Sequence, residues 1–321
     1  MDHYIGVDIG GTSIKAGVVT DGGQIVTDSS IATEVEQGSD HIVDNAAVLI
    51  RKVIAAAGLT VDQIGGIGIG IPGMVNVKKG QATFANNLGF LNYPIVKKFK
   101  EHFPDTDIQI TNDANAAALG ETLYGAAKDY SLGAVMVTLG TGVGGGIVIR
   151  NALFAGNRAA GAEIGHMVIH ENGERCTCGR RGCFEAYSSA TALIRDTKRA
   201  MQKNPDSKMW EVGGLDFVTG KTAFDYADTD KTAKKVVDSY LKHLACGLAN
   251  LANVFRPEVI ILGGGVCNQG DALIKPLQRR LNKELYGGKL GPMVKLLTAE
   301  LGNRAGLLGA AALNMRSANI L

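Results

Sequence analysis

An apolar strand, a turn rich in glycine and threonine, and a second apolar strand occur together twice in this chain. The first copy reads VDIGGTSIKAGVV from residue 7, and the second reads VTLGTGVGGGIVI from residue 137. A repeated hairpin of this kind indicates two related halves. Because 321 residues are also more than one hydrophobic core usually accommodates, we predict two domains of similar construction.

The predicted strands alternate with helices, which is typical of an α/β protein. Apolar segments bounded by glycine turns predict strands, and apolar residues at helical spacing predict helices. The predicted strands span residues 4–9, 14–20, 25–33, 64–71, 108–111, 133–139, 144–150 and 259–262. The predicted helices span residues 39–57, a stretch from residue 113, and residues 232–255, 271–285 and 305–315. Residues 204–231 are polar and are predicted to form a surface insertion.

The composition is that of a soluble globular enzyme: 45% of the residues are hydrophobic, 20% are charged and the formal net charge is +2. No cluster of lysine and arginine stands out, so we expect neither nucleic-acid nor membrane binding. The chain starts without the basic segment and long apolar core of a secretory signal. No apolar stretch approaches the roughly 20 residues that span a bilayer. We therefore expect a cytoplasmic protein.

Three glycine-rich turns follow predicted strands, and they are candidates for phosphate binding because glycine lets main-chain N–H groups approach phosphate oxygens. Any one of them alone is more often a plain hairpin turn, whereas the three together favour a nucleotide. The first turn also has a positive charge, Lys15, and a carboxylate, Asp8, that can hold Mg²⁺. The turns contain Asp8, Gly10, Gly11, Thr12 and Lys15; Gly140, Thr141 and Gly142; and Gly263, Gly264 and Gly265.

Two segments match the glycine spacing of dinucleotide-binding proteins, one from Gly68 to Gly73 and one from Gly140 to Gly145. That spacing is meaningful only between a strand and a helix. Pro72 disrupts the first segment, and the second continues into a predicted strand. We therefore do not expect a dinucleotide site.

Asp113 lies where a predicted strand gives way to a predicted helix. Aspartate at such a junction is a favoured helix N-cap. Next to a substrate, the same carboxylate can act as the general base that accepts a hydroxyl proton during phosphoryl transfer. The local sequence supports both roles equally.

Three of the five cysteines lie within eight positions: Cys176, Cys178 and Cys183. Thiols spaced C-x-C are poor disulfide partners, whereas Zn²⁺ can bind three thiolates and one imidazole. His166 and His170 are both candidates for the imidazole. A site with three cysteines and one histidine has no open coordination position, so we expect a structural zinc ion that fixes a loop.

Together these segments resemble the ROK family (repressors, open reading frames, kinases). The resemblance rests on D-x-G-G-T-x-x-K from residue 8, GIGIPG from residue 68, NDANAA from residue 112 and LGTGVG from residue 139. It is most specific in GAEIGH from residue 161, followed by CTCG from residue 176 and GCFE from residue 182. These three segments resemble the zinc and sugar module of the family.

The resemblance implies an actin-like sugar-kinase fold, in which two ribonuclease-H-like lobes close on the substrates and the second lobe has a zinc-bearing loop. The N-terminal lobe would comprise residues 1–113, with a C-terminal helix at about 305–321 packed on it. The C-terminal lobe would comprise residues 114–304, with the zinc module at 161–188.

The resemblance also implies roles for individual residues. Asp113 would be the catalytic base, and His166 would bind zinc with Cys176, Cys178 and Cys183. The sugar would be bound by Gly73, Asn87, Asn112, Asp113, Glu163, His166 and Glu185. ATP with Mg²⁺ would be bound by Asp8, Gly10, Gly11, Thr12, Lys15, Gly140, Thr141, Gly142, Gly264, Gly265 and Val266. A tryptophan often follows the position of Asn87 in the family, whereas Phe90 and Leu91 stand nearby in this chain.

The segment before the zinc-linked histidine separates substrate classes within the family. In fructokinases of the family this segment resembles the sequence His-Pro-Glu. In this chain it is Gly161-Ala162-Glu163, which is more similar to the corresponding segment of the glucose kinases. We therefore expect ATP-dependent phosphorylation of glucose to glucose 6-phosphate. The alternative substrates are fructose, mannose, N-acetylmannosamine and N-acetylglucosamine.

A second class of ROK protein is the sugar-sensing repressor, which has an N-terminal helix-turn-helix domain of about 60 residues. Only seven residues precede Asp8 in this chain, so DNA binding is disfavoured. The resemblance further implies a homodimer or a homotetramer.

Overall fold

The computed structural model describes residues 2–315 and 319–320. The chain divides into two compact units. The first comprises Met1–Met136, Gly146–Ala162 and Ala299–Leu321, and the second comprises Val137–Gly145 and Glu163–Thr298. The lobe boundary near residue 113 that the resemblance implies stays a prediction.

The described residues form strands and α-helices in mixed order. The strands are β1 (His3–Ile9), β2 (Ser13–Thr20), β3 (Ile25–Ala32), β4 (Ile67–Ile71), β5 (Met74–Asn76), β6 (Gln81–Ala85), β7 (Phe90–Tyr93), β8 (Ile108–Asn112), β9 (Gly133–Leu139), β10 (Val143–Ile149), β11 (Ala152–Phe154), β12 (Val259–Gly263), β13 (Lys295–Thr298) and β14 (Asn319–Ile320). The helices are α1 (Ser39–Ala56), α2 (Ile95–His102), α3 (Asp113–Tyr124), α4 (Glu185–Ser188), α5 (Ala190–Lys203), α6 (Thr222–Tyr226), α7 (Lys231–Phe255), α8 (Asp271–Glu284) and α9 (Ala305–Ala312).

In the first unit, five strands form a sheet in the order β3-β2-β1-β4-β8. β1 is antiparallel to β2 and parallel to β4, and β4 is parallel to β8. Strands β1 and β4 alternate isoleucine or valine with glycine or another residue, so the large side chains lie on one face. Ile5 and Ile69 on that face are fully buried, in a core to which α1 contributes Ile42 and Ile50.

The other face of this sheet has glycines, and α9 lies directly on it. A Cβ atom on Gly6 would collide with the carbonyl of Leu307, and one on Gly68 would collide with the carbonyl of Ala310. Glycine is therefore required here by the close approach of the helix. The same helix also packs against α3.

The C-terminal helix is shorter than predicted. α9 ends at Ala312 and not at residue 315, and residues 319–320 form strand β14. Asn314, a weak helix former, lies against Gly66 just after the helix ends. Residues 316–318 and 321 of the predicted extension lie outside the described residues.

In the second unit, the long helix α7 contacts α4, α5, α6 and α8. It begins after Asp230, whose carboxylate accepts hydrogen bonds from the main-chain N–H groups of Thr232 at 2.6 Å and Ala233 at 2.8 Å. Leu244 and Leu248 on α7 are fully buried. Strands β12 and β13 of this unit pair in parallel, so it also combines strands with helices.

Residues 204–231 are more than the predicted surface insertion. They include helix α6 and two 3₁₀ turns, and Met209 and Ala223 within them are fully buried. Helix α6 packs on α7, which buries the few apolar side chains of this polar segment. The segment therefore belongs to the helical layer of the second unit.

Most other bounds follow the predictions within a few residues. Local sequence patterns did not predict α2, α4, α5, β11, β13 or the small antiparallel sheet β5-β6-β7. They also placed the start of β4 too early, at residue 64. Among the described residues, no helix combines the length and the apolar character needed to cross a membrane.

Candidate active site

Parallel strands bring three predicted site segments to one edge of the first unit's sheet. Asp8 on β1 pairs with Gly70 on β4, and Gly70 pairs with Thr111 on β8. Because these strands are parallel, their carboxyl ends lie at the same edge, where α/β proteins commonly bind ligands. The side-chain amide of Asn112 donates a hydrogen bond to the carbonyl of Gly73 at 2.9 Å. This bond connects the turn after β4 to the start of α3.

The N-cap of α3 is Asn112 and not Asp113. The Asn112 side-chain oxygen accepts hydrogen bonds from the N–H groups of Ala114 at 2.9 Å and Asn115 at 3.3 Å. Asp113 is the first residue of the helix, and its Oδ1 accepts from the N–H of Ala114 at 2.8 Å. Burial raises the pKa of Asp113, although hydrogen bonds from the main chain and from Asn112 act in the opposite direction. A carboxylate with a raised pKa accepts a proton more readily, as a general base must.

Asp8 and Lys15 are opposite each other in the first hairpin. They are directly paired residues of β1 and β2, and Lys15 Nζ lies 3.9 Å from Asp8 Oδ2. Burial raises the pKa of Asp8, Lys15 lowers it, and the charge on Asp113 raises it further. Asp8 and Asp113 are half-buried carboxylates, close enough for the charge on Asp113 to raise the pKa of Asp8, and carboxylate oxygens are suitable ligands for a hard cation such as Mg²⁺.

The main chain of the first glycine turn is held by Thr33, which the sequence analysis missed. The Thr33 hydroxyl donates to the carbonyl of Gly10 at 2.6 Å, and the Thr33 N–H donates to the carbonyl of Thr12 at 3.1 Å. Gly11 and Thr12 are exposed. The turn is therefore fixed by an internal partner and remains accessible to a ligand. No local motif points to Thr33, because it lies 23 positions from Gly10.

Asn87 lies beside the same turn. A Cβ atom placed on Gly11 would be 3.4 Å from the Cβ of Asn87. Phe90 is buried and stacks on Tyr93 with the ring centroids 4.9 Å apart, so its ring is not accessible to a ligand. Leu91 is 72% exposed and is the accessible one of the two residues near the family's tryptophan position.

In the second unit, two predicted site segments hold Glu185. Its Oε2 accepts a hydrogen bond from the N–H of Val143 at 3.0 Å, and its Oε1 accepts one from the Thr177 hydroxyl at 3.1 Å. A Cβ atom on Gly142 would collide with this carboxylate. The sequence analysis missed Thr177, although it lies between two predicted zinc ligands.

The four predicted zinc ligands lie together, with their ligand atoms within 4.8 Å of one another. Cys178 Sγ lies 3.7 Å from Cys183 Sγ, and Cys176 Sγ lies 3.7 Å from His166 Nδ1. A tetrahedral zinc ion with bonds of about 2.3 Å to sulfur needs ligand atoms roughly 3.8 Å apart, so these residues fit Zn²⁺. The alternative ligand, His170, stacks on Tyr187 with the ring centroids 5.9 Å apart.

A main-chain hydrogen bond from Arg180 lowers the pKa of the exposed Cys178 thiol, whereas the pKa values of the two buried thiols shift the other way. Burial raises the pKa of Cys176, and it raises the pKa of Cys183 to about 12. Both thiols are therefore protonated at neutral pH in the absence of a metal ion. Zinc binding would displace these protons, so occupancy of the site should decrease as the pH falls.

Glu163 and His166 are on one 3₁₀ turn at the start of the second unit's main segment. The His166 N–H donates to the carbonyl of Glu163 at 3.1 Å. Glu163 is exposed and His166 is half-buried. This short turn therefore presents one carboxylate and one imidazole close together.

The second and third glycine turns are adjacent in the second unit. Gly264 has φ +92°, a conformation that favours glycine, and a Cβ atom on it would collide with the carbonyl of Leu139. Cβ atoms placed on Gly140 or Gly265 would meet nothing within 4 Å. The main chain is therefore accessible at both turns. Val266, which follows, is buried.

Helix α5 supports the second glycine turn from its first residues. The N–H of Ala190 donates to the carbonyl of Gly140 at 2.8 Å. The hydroxyl of Thr191 donates to the carbonyl of Thr141 at 2.8 Å. These bonds fix the carbonyls of the turn within the protein.

The chain has relatives among known proteins. The family model described as the ROK family matches residues 4–317. The chain belongs to the ROK family. It is 37% identical to the glucokinase of Halalkalibacterium halodurans, over 95% of this chain and 93% of that relative. It is 28% identical to a putative xylose repressor of Caldicellulosiruptor sp., over 96% of this chain and 77% of the relative.

A solved ROK structure shows the same fold. The structure of a ROK family glucokinase from Streptomyces griseus in complex with glucose and AMPPNP is 35% identical to this chain. The match covers 97% of this chain and 98% of that chain, with a TM-score of 0.77. The predicted fold class, an α/β fold of the actin-like sugar-kinase type, is confirmed. ROK relatives of this chain include both kinases and repressors.

Proposed function

We propose that this ROK protein is a cytoplasmic kinase that transfers a phosphoryl group from ATP to the 6-hydroxyl of glucose. The observation that carries the proposal is the position of the Asp113 carboxyl. It lies at the sheet edge that also has Asp8 and Lys15, and burial raises its pKa. The identity to glucokinases supports the same activity.

In the proposed reaction, the sugar hydroxyl attacks the γ-phosphorus as its proton passes to Asp113. The bond to the β-phosphate oxygen breaks, and the products are ADP and glucose 6-phosphate. Lys15 and the N–H groups of the glycine turns stabilise the negative charge of the transferring group. Mg²⁺, held by Asp8 directly or through water, would neutralise further phosphate charge.

The sugar hydroxyls are assigned to side chains that form charge-assisted or amide hydrogen bonds. Glu185 suits this role because donors from two segments fix both of its carboxylate oxygens, each of which can accept a further hydrogen bond. The proposed sugar-binding residues are Gly73, Asn87, Asn112, Asp113, Glu163, His166 and Glu185.

The nucleotide is assigned to the accessible glycine turns. A Cβ atom on Gly140 or Gly265 would meet nothing within 4 Å, so a ligand can approach the main chain there, while the N–H of Gly140 itself donates to the carbonyl of Gly142. Gly10, Gly11 and Thr12 would contact the phosphates, as would Thr141 and Gly142. Gly264, Gly265 and Val266 would contact the adenosine.

The zinc ion is assigned a structural role. Three thiolates and His166 Nδ1 leave no open coordination position, so the metal cannot polarise a substrate. It would fix the loop that contains Thr177 and hold the His166 ring, whose Nε2 then remains for a sugar hydroxyl.

The test is an ADP-release assay with ATP and Mg²⁺ and a panel of hexoses and N-acetylhexosamines. We expect the highest kcat/KM for glucose and little turnover of the N-acetyl sugars. Preferred turnover of fructose, mannose or an N-acetylhexosamine would overturn the glucose assignment and leave the kinase assignment intact. Sugar binding without ADP release would instead support a sugar-sensing protein. Light scattering of the pure protein would test the proposed homodimer or homotetramer.

A further inference from the structure

Glu121 on α3 is a fully buried carboxylate that accepts three main-chain hydrogen bonds. Its Oε1 accepts from the N–H of Leu301 at 2.8 Å, and its Oε2 accepts from Glu300 at 3.1 Å and Ala126 at 3.0 Å. Residues 300 and 301 lie 179 and 180 positions further along the chain. One side chain thus connects α3 to the segment that leads into α9.

That segment leads directly to Asp8. A Cβ atom placed on Gly306, the second residue of α9, would lie 3.2 Å from both Cγ and Oδ2 of the Asp8 carboxylate. Helices α3 and α9 are in close contact there, because a Cβ atom on Gly120 or Gly309 would collide with the main chain of the opposite helix. A shift of α9 along α3 would therefore displace the contact at Asp8.

Asp113 is on the same helix as Glu121. It is the first residue of α3, and Glu121 follows it by about two helical turns. The two carboxylates of the candidate site thus depend on helices that Glu121 joins: Asp113 is on α3, and Asp8 is in contact with α9.

We propose that Glu121 is a positioning residue that determines the position of the Asp8 carboxylate relative to Asp113. Through that position it would affect the binding of the nucleotide-associated Mg²⁺. The inference rests on the proposed kinase function. A purely structural role would make Glu121 important for stability alone. The two roles differ in one measurable respect, which is the Mg²⁺ concentration that the folded protein requires.

Two substitutions separate the roles. Glu121→Gln keeps the side-chain length but replaces one acceptor oxygen by an N–H donor that faces main-chain donors. Gly306→Ala adds a methyl group against Asp8 and leaves Glu121 unchanged. Because alanine is a better helix former than glycine, Gly306→Ala should not lower the melting temperature through helix propensity.

The matched control is Asp230→Asn in the second unit. Asp230 is also a buried carboxylate that accepts main-chain hydrogen bonds, from Lys208, Thr232 and Ala233. The substitution is again carboxylate to amide, and the site lies in the cap of α7 and not beside Asp8. It reports what loss of stability alone does to each measurement.

The experiment measures ADP release and, without sugar, calorimetric binding of AMPPNP, both over a range of Mg²⁺ concentrations. We expect Glu121→Gln and Gly306→Ala each to raise, about tenfold, the Mg²⁺ concentration that gives half-maximal ADP release or AMPPNP binding. KM for glucose should change less than about twofold. Asp230→Asn should lower the melting temperature and leave the Mg²⁺ requirement unchanged.

A wild-type Mg²⁺ requirement in folded Glu121→Gln would overturn the proposal, whatever its melting temperature. If Glu121→Gln fails to fold, a wild-type Mg²⁺ requirement in Gly306→Ala would overturn it, because the contact between α9 and Asp8 would then not affect Mg²⁺ binding. Failure of the kinase proposal is seen separately, as absence of ADP release by the wild type with every sugar. The AMPPNP titrations would still test Glu121 in that case.

Discussion

The Thr177 hydroxyl donates a hydrogen bond to Glu185 Oε1 at 3.1 Å, while the N–H of Val143 donates to Oε2 of the same carboxylate at 3.0 Å. The cysteine loop and the second glycine hairpin therefore fix one carboxylate jointly. Thr177 lies between two of the proposed zinc ligands, so a metal that ordered this loop would also order Glu185 through this hydroxyl.

Thr177→Val should weaken glucose binding while leaving the fold intact. The exposed hydroxyl contributes one hydrogen bond to a charged acceptor, worth about 0.7–1.4 kcal/mol, so KM for glucose should rise about three- to tenfold. Steady-state kinetics measures this, with Thr191→Val as the control because its hydroxyl holds the glycine turn at Thr141. The control should change KM for ATP instead. An unchanged KM for glucose in Thr177→Val would show that Val143 alone orients Glu185.

Asp113→Asn should lower kcat about 10²–10⁴-fold, the range for loss of a general base. Glucose affinity should change little, because asparagine keeps the side-chain oxygen that accepts from Ala114. The melting temperature at neutral pH should be unchanged or higher, because burial disfavours the charged form that is removed. Kinetics, calorimetry with glucose and thermal unfolding test the three parts. Turnover above about a tenth of the wild-type rate would exclude Asp113 as the base.

The pH dependence of kcat/KM should show the raised pKa of Asp113. The base has to be ionised, so activity decreases as the pH falls through its folded-state pKa. Because burial raises that pKa, the acid limb should lie above the ordinary aspartate value of about 3.9. A profile measured from neutral pH downwards, within the range where the protein stays folded, locates the limb. Constant activity down to pH values below about 4 would contradict the assignment.

Cys178→Ser should remove zinc from the protein, since one of four ligands is lost. Metal analysis should find one zinc ion per wild-type chain and much less in the variant. KM for glucose should rise about tenfold or more, because His166 and Thr177 lose their fixed positions. Cys246→Ser, which changes a cysteine on α7 outside the cluster, should retain zinc. Wild-type protein without zinc would contradict the structural-metal assignment.

Asp230→Asn should destabilise the second unit by about 1–2 kcal/mol at pH 7. Burial alone would raise the pKa of Asp230, but hydrogen bonds from Ala233, Lys208, Ser207 and Thr232 hold it below the ordinary value. Its contribution to stability is therefore present above the unfolded pKa of about 3.9 and is lost as the pH falls through the lower folded pKa. Urea unfolding at pH 7 and near pH 3 should show the difference between wild type and variant shrinking at the lower pH. An equal difference at both values would mean that ionised Asp230 is not the stabilising group.

Local patterns in the sequence were sufficient for much of the fold and part of the site. Alternation of isoleucine with glycine in β4 predicts a buried strand, and the structure buries all of its residues, with α9 on the glycine face. The spacing of Cys176, Cys178 and Cys183 predicts a metal cluster because all three ligands come from one loop. These features were predictable since the interacting groups are close in the chain.

The sequence by itself determined the α/β class, the hairpins with their glycine turns, and the cysteine loop, because each depends on periodicity or spacing over a few residues. The tertiary structure decided that Asn112 and not Asp113 caps α3. It also identified Thr33, Thr177 and Glu121 as the residues that hold the site segments. Thr33 and Glu121 bond to main-chain groups 23 and 180 positions away, and a hydrogen bond across such a distance leaves no periodic pattern in the chain. The pairing of β3 with β2 brings Thr33 to the first glycine turn, and the packing of α9 on α3 brings Leu301 to Glu121.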